Sequence, residues 1–262
     1  MRLLKDVIGQ HGGLGIRPPF AGPGVRAMFF FRHLDTWPLT DADLSPRLAG
    51  PEAARANRAR MLSSAGMQAE ALCLVRQVHG HRVIRVDAPT DSAFEADGMV
   101  TDVPGLALAI LVADCAPVLL YDPVRRAVGA CHSGWRGTVQ QIVACAIERM
   151  RDEYGTNPGD LHVAIGPCIR RCCYEVDDVV ADHVRNTPLE RALLPRFRRP
   201  RKYVFSLPHA IRLTAEACGV QPDHVYDAGV CTSCRNGHLF SHRREGERAG
   251  RQMAVIALEM GD

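Results

Sequence analysis

The chain has 262 residues, 47% of them hydrophobic and 23% charged, so it is long enough to bury a substantial core and too apolar to be disordered. Its formal net charge of +3 is too small to argue for a nucleic-acid partner. The longest apolar run, Leu106–Tyr121, contains Asp114 and Pro117 and makes a poor membrane span.

Met1–Gln10 carries Lys5 and Asp6 and lacks the apolar stretch of a secretory signal. Gly12, Gly13, Pro18, Pro19 and Pro23 then punctuate an irregular start. A strand is expected at 25–31, a loop at 35–46 and a helix at 52–65. Two strands are expected at 72–78 and 82–86, and a short one at 98–101. The apolar run 106–112 reads as a strand covered on both faces, with 117–121 continuing it until Asp122-Pro123. After a strand at 128–131, a helix is expected to start near Thr138, with Thr138 and Gln141 as a capping box. A strand at 162–165, a short helix at 177–184 and a Pro- and Arg-rich surface excursion at 187–202 follow. A helix at 208–218 stops at Gly219, and strands at 225–228 and 253–258 close the chain. Without clean alternation of strand and helix, the order reads as α+β, a single domain over 1–262 with mixed sheets flanked by helices.

Ten cysteines without a secretory context point to a reducing cytoplasm, most of them serving as small buried hydrophobes. Two chemistry-bearing residues fall where chains turn, His79 and His132, and Cys115 lies between them inside the apolar run, just after Asp114; the three are spaced 36 and 17 residues apart. No helix or hairpin forces them together. His79 can be a strand-end imidazole bonded to a carbonyl, and Cys115 a buried apolar thiol. His132 is harder to dismiss, because it sits in a Gly-containing turn among Cys131, Ser133, Trp135 and Arg136. If the three converge, two imidazoles and a thiolate form a zinc site with an open fourth position. The same atoms also suit a thiolate nucleophile with a histidine base. Two imidazoles and a thiolate suit copper as well, although a multicopper centre needs more histidine pairs than His79-Gly-His81. Asp114 reads as an orienter of a histidine or as a turn residue.

The Gly134–Thr138 turn feeds a helix N-terminus, and Arg136 adds a forked donor for phosphate or carboxylate. Alternatively, Arg136 only forms a salt bridge. Near the C-terminus, Arg243, Arg244, Arg248 and Arg251 form a basic cluster that is either a solvated loop or a lid carrying arginines to a phosphate. Cys231 and Cys234 form a CxxC, with Cys168, Cys172 and Cys173 as further donors. Structural zinc sites usually show two such knuckles, so the single CxxC argues against an all-cysteine site.

The chain resembles the laccase-domain proteins, also described as multicopper-polyphenol-oxidase-like proteins and purine nucleoside phosphorylases of the laccase-domain type. The likeness rests on QVHG (77–80), ADGMVT (96–101), ADCAPVLLYDP (113–123) and HSGWRGT (132–138). It extends through AIGPCI (164–169), YEV (174–176), FSHRR (240–244) and GRQ (250–252). It implies that His79, Cys115 and His132 converge on a catalytic zinc in a cytoplasmic α+β enzyme. It further implies phosphorolysis of adenosine, inosine and methylthioadenosine, with some adenosine deamination. Phosphate would be held by Arg136 and Arg243. Similar proteins have also been described as copper-dependent polyphenol oxidases or as amidases editing a peptidoglycan precursor. Two departures stand out: Arg32 is followed by HLDTWPL instead of a Gly-Gly-x-Ser loop, and FSL at 205–207 lacks the Asp usual before Leu.

Overall fold

A computed structural model describes residues 15–32, 43–44 and 46–260. The loop expected at 35–46 and the HLDTWPL departure therefore lie largely or wholly outside the described residues.

Strands and helices are numbered along the chain. One six-stranded sheet runs, in spatial order, β1 (Gly15–Ile16), β2 (Val25–Phe30), β15 (Gln252–Leu258), β7 (Ala107–Val112), β3 (Leu72–Arg76) and β5 (Thr90–Glu95). A second runs β14 (Val225–Asp227), β10 (His162–Ile165), β8 (Ala116–Asp122), β9 (Ala127–Ser133), β6 (Gly98–Thr101) and β4 (Val83–Arg85). Both mix parallel and antiparallel pairs. A small third sheet, β11 (Glu175–Val176), β13 (Tyr203–Phe205) and β12 (Leu193–Pro195), is built partly from the excursion expected on the surface.

The two large sheets pack face to face because their strands alternate between two apolar environments. On β7, Leu108 and Ile110 face the second sheet, where Leu119, Val128 and Ala130 meet them. Ala107 and Ala109, one residue out of phase, join Met61 and Leu62 on the other face of the first sheet. Those two come from helix α2 (Pro51–Ser64), which follows the short α1 (Pro46–Ala49). On the far side, Val118, Leu120 and Val163 of the second sheet pack with Ile147 and Ile211. These belong to α4 (Ile142–Tyr154) and α6 (Leu207–Ala217), with α5 (Asp178–Val184) between them in the chain. The order of layers is helix, sheet, sheet, helices, which is the α+β architecture expected.

Three expectations need correction. The run 106–121 is not one strand. β7 and β8 lie in different sheets, and residues 113–115 carry the chain across with Asp114 at φ 83°. Continuous hydrophobicity cannot reveal this crossing, because both strands are covered on both faces. The helix expected near Thr138 begins earlier, as α3 (Trp135–Val139), and is separated from α4 by Gln141 in a left-handed conformation. Thr138 forms no capping box; its hydroxyl donates to the Gly134 carbonyl at 2.8 Å from inside the helix. Finally, β5 escaped the sequence pattern because it is a mostly exposed edge strand, TDSAFE, with no buried alternation to mark it.

Candidate active site

The crossing from β7 to β8 puts Cys115 at the rim of the sandwich. His132 arrives on β9, where it pairs with Pro117 of β8. His79 comes from the loop after β3, at the matching end of the first sheet. Gln77 pins that loop, bonding both the N–H and the C=O of Leu111 at 2.9 Å. The donor atoms of His79, Cys115 and His132 all lie within 4.8 Å of one another. The two imidazoles meet edge to face, with centroids 4.7 Å apart.

Asp97 organises this arrangement from 0% exposure. Its Oδ1 lies 2.8 Å from His132 Nδ1, and its carboxylate also accepts the backbone N–H groups of Val78, His79 and Gly80. Its own carbonyl accepts from His132 N at 2.7 Å. One carboxylate thus fixes the His132 ring through Nδ1, leaves Nε2 toward Cys115, and holds the His79 loop. Burial would raise the Asp97 pKa, but the His132 hydrogen bond and the amide donors bring it below the usual carboxylate value. Asp97 lies inside ADGMVT, yet nothing in its spacing signals this role.

Asp114 does not orient a histidine. Thr232 Oγ1 donates to its Oδ1 at 2.5 Å, while Ser241 Oγ and Arg243 N donate to its Oδ2 at 3.1 and 2.6 Å. It is therefore an anchor that ties the SHRR segment, including α7 (His242–Glu245), to the residue beside Cys115.

The two glycines of the GWRG turn are explained by close approach. A Cβ on Gly134 would lie 2.9 Å from Cys115 Sγ and 3.3 Å from His79 Cδ2. A Cβ on Gly137 would lie 2.9 Å from the Gly80 carbonyl oxygen. The turn therefore closes directly onto the site and onto the His79 loop. Cys131 points into the core with α4 and α6, away from its neighbour His132.

The electrostatics favour a thiolate. Burial alone would push the Cys115 thiol up, but the charges and hydrogen bonds of His132 and His79 outweigh it and bring it down to about 6. Burial would lower His132, but Cys115 and Asp97 raise it to about 9. A thiolate and two imidazoles, one of them locked by a carboxylate, make a donor set that fits zinc.

Above these residues opens a cleft of about 520 Å³. Arg243 lines it and Arg136 does not. The Arg243 guanidinium donates to the carbonyls of Cys173 and Glu175, both at 3.1 Å, and lies 5.5 Å from the Tyr174 ring centre. Arg136 is exposed and stacks over Trp135 at 4.5 Å. Arg32 is buried, with its guanidinium 4.3 Å over the Phe240 ring and bonded to the Asn236 carbonyl at 2.8 Å.

Beside the cleft, Cys172, Cys173, Cys231 and Cys234 bring four sulfurs together, against the expectation drawn from the single CxxC. Cys168 stays in the core at 0% exposure and outside this group.

Residues 40–259 match the family model described as multi-copper polyphenol oxidoreductase laccase. This chain is a laccase-domain protein. Its curated relatives include a protein of Geobacillus stearothermophilus named purine nucleoside phosphorylase YlmD, 37% identical over 210 residues, covering 76% of this chain and 77% of that protein. Another, named purine nucleoside phosphorylase, comes from Deinococcus radiodurans and is 36% identical, covering 84% and 83% of the two chains. The laccase-domain fold superposes on the crystal structure of YlmD from Geobacillus stearothermophilus with a TM-score of 0.83 and 32% identity, covering 93% and 94% of the two chains. No helix among the described residues is long and apolar enough to cross a membrane.

Proposed function

We propose that this chain, over residues 1–262, is a purine nucleoside phosphorylase. Inosine, adenosine and methylthioadenosine are its substrates, zinc is the metal held by His79, Cys115 and His132, and adenosine deamination is a side activity. The observation that carries this reading is that the metal-ligand triad and the Arg243 cation share one cleft. That cleft, about 520 Å³, is within the size range of small-molecule sites. The names of the curated relatives supply the reaction class.

In phosphorolysis a phosphate oxygen bonds to ribose C1′ as the C1′–N9 bond breaks. The electron pair leaves on the purine, which takes up a proton. The Arg243 guanidinium has no carboxylate partner among the described residues, and it keeps N–H donors beyond the two given to the carbonyls of Cys173 and Glu175. It holds the phosphate. Arg136, at the edge of the turn, is the second candidate anion partner. Burial and the nearby Cys115 charge push the Tyr174 pKa up, so this phenol stays protonated and donates a hydrogen bond to substrate. Leu111, Ile169 and Leu207 give the purine an apolar wall. When bound, zinc supplies positive charge and Lewis acidity to polarise a substrate oxygen.

A multicopper centre is disfavoured by the fate of His81. It bonds Gln140 Oε1 at 2.7 Å and belongs to neither of the two ligand groups found among the described residues. This reading places the enzyme in the reducing cytoplasm, where its ten cysteines stay thiols or thiolates.

The test is zinc-loaded protein with inosine, with and without phosphate, followed by chromatography. Hypoxanthine and ribose 1-phosphate should form only with phosphate, and Cys115→Ala should abolish them. Absence of hypoxanthine, or release unchanged in Cys115→Ala, defeats the reading.

A further inference from the structure

Four cysteines outside the catalytic triad form a second group. Cys172 and Cys173 are adjacent in the turn after β10, and Cys231 and Cys234 lie in the turn after β14. All four sulfurs lie within 4.8 Å of one another. Cys234 Sγ is 3.5 Å from Cys172 Sγ and 3.4 Å from Cys173 Sγ. These separations are far beyond a disulfide bond of about 2.05 Å. They are close to the sulfur–sulfur edge of a tetrahedral zinc–thiolate centre, about 3.8 Å for Zn–S bonds of about 2.3 Å.

The backbone already joins the two turns. Cys168 and Cys231 form an isolated parallel bridge, with Cys168 N donating to Val230 O at 3.3 Å and Thr232 N donating to Cys168 O at 3.1 Å. The geometry points to a structural zinc held by the thiolates of Cys172, Cys173, Cys231 and Cys234, separate from the catalytic triad. Sulfur-only, four-coordinate and closed, such a centre has no position for substrate.

Its place in the fold gives it a task. The two bridged turns carry the back wall of the catalytic cleft. Ile169 N donates to the Asp114 carbonyl at 2.8 Å, and Thr232 Oγ1 donates to the Asp114 carboxylate. Arg243 is seated on the carbonyl of Cys173 itself. A metal clamping residues 172–173 to 231–234 therefore fixes the residue next to Cys115 and the perch of Arg243. The donor set is separated in sequence by about sixty residues, which is why a search for two CxxC knuckles does not find it.

The test counts and types the metal in protein purified with zinc under reducing conditions. Elemental analysis should give two zinc ions per wild-type chain and one in each of Cys115→Ala and Cys234→Ser. X-ray absorption at the zinc edge should show only sulfur neighbours, at about 2.3 Å, in Cys115→Ala, and a mixed nitrogen and sulfur shell in Cys234→Ser. Should Cys234→Ser fail to fold, the sulfur-only spectrum of Cys115→Ala decides alone. One zinc in the wild type with none in Cys115→Ala overturns the proposal, as does a disulfide among the four cysteines in the wild-type protein. Neither result depends on which substrate the cleft takes.

Discussion

Asp97 Oδ1 sits 2.8 Å from Nδ1 of His132, and the same carboxylate accepts the backbone N–H groups of three consecutive residues, Val78, His79 and Gly80. Two members of the His79–Cys115–His132 triad, reached from two different sheets, are therefore positioned by one buried side chain. Removing a carboxylate that orients a metal-bound histidine typically costs 10–100-fold in metal affinity or activity. Asp97→Ala also removes the acceptor of three backbone N–H groups in the His79 loop. We expect it to lose zinc under competition by a chelator at concentrations that the wild type survives, and to lower kcat/KM by at least tenfold. Asp97→Asn keeps an acceptor and should fall between the two. Unchanged zinc retention in Asp97→Ala would remove Asp97 from the site.

Gly134 makes an independent prediction from steric contact. A methyl group there would press on Cys115 Sγ at 2.9 Å and on His79 Cδ2 at 3.3 Å. Backbone φ at Gly134 is −74°, so alanine is conformationally acceptable and the effect is confined to the site. Overpacking of this kind costs about 1–3 kcal/mol when neighbours must shift. Gly134→Ala should keep the far-ultraviolet circular dichroism of the wild type while lowering zinc occupancy and activity more than tenfold. Gly137→Ala instead meets the Gly80 carbonyl, a backbone atom, and should depress the melting temperature more than Gly134→Ala does.

The sequence made some of this legible. Strands at 98–101 and 162–165 are found where hydrophobic alternation and breakers put them. His79 and His132 could be singled out because each falls at a strand end beside a glycine-containing turn, and Cys115 as a thiol inside an apolar run, although only the fold could join the three. Asp97 and Asp114 were not resolvable by the same reasoning. Both are single acidic residues beside strands, and what separates them is which distant groups donate to them. Asp97 faces His132 across the β6–β9 ladder, while Asp114 faces Thr232, Ser241 and Arg243. Such partners are set by sheet order, which hydrophobic patterning does not encode. The crossing at 113–115 is hidden for the same reason.

His162 gives a pH dependence away from the His79–Cys115–His132 triad. Its ring lies 4.2 Å from that of His224, in a cluster with Phe20, Tyr121 and Tyr226. Burial and the neighbouring His224 lower its pKa, against weaker opposing pulls from Asp223 and Asp122. A depressed histidine pKa means the unfolded chain takes up the proton more readily. The contribution of His162 to stability is therefore complete above its unfolded value of about 6.5 and is lost as pH falls through the folded value. The melting temperature of zinc-loaded protein should drop as pH falls below about 6.5, and less steeply in His162→Gln. Identical slopes in the two proteins would exclude His162 as a source of the acid sensitivity.

Arg243 and Arg136 are separated by their positions. Arg243 lines the cleft, is anchored through its own N–H to Asp114, and spends two guanidinium donors on carbonyls of the cleft wall. Arg136 is exposed, stacks on Trp135 and lies outside that wall. Hydrogen bonds to charged groups contribute about 1.5–3 kcal/mol, equivalent to roughly 10–100-fold in affinity. Arg243→Ala should raise the KM for phosphate by that factor, while the KM for inosine changes little. Arg243→Lys keeps the charge but loses the fork, and should recover only part of the loss. Arg136→Ala should shift the phosphate KM by less than about threefold, because its guanidinium is already committed to the indole face. Initial rates measured against varied phosphate at saturating inosine give all three values. A larger effect from Arg136→Ala than from Arg243→Ala would move the anion site out of the cleft and onto the GWRG turn.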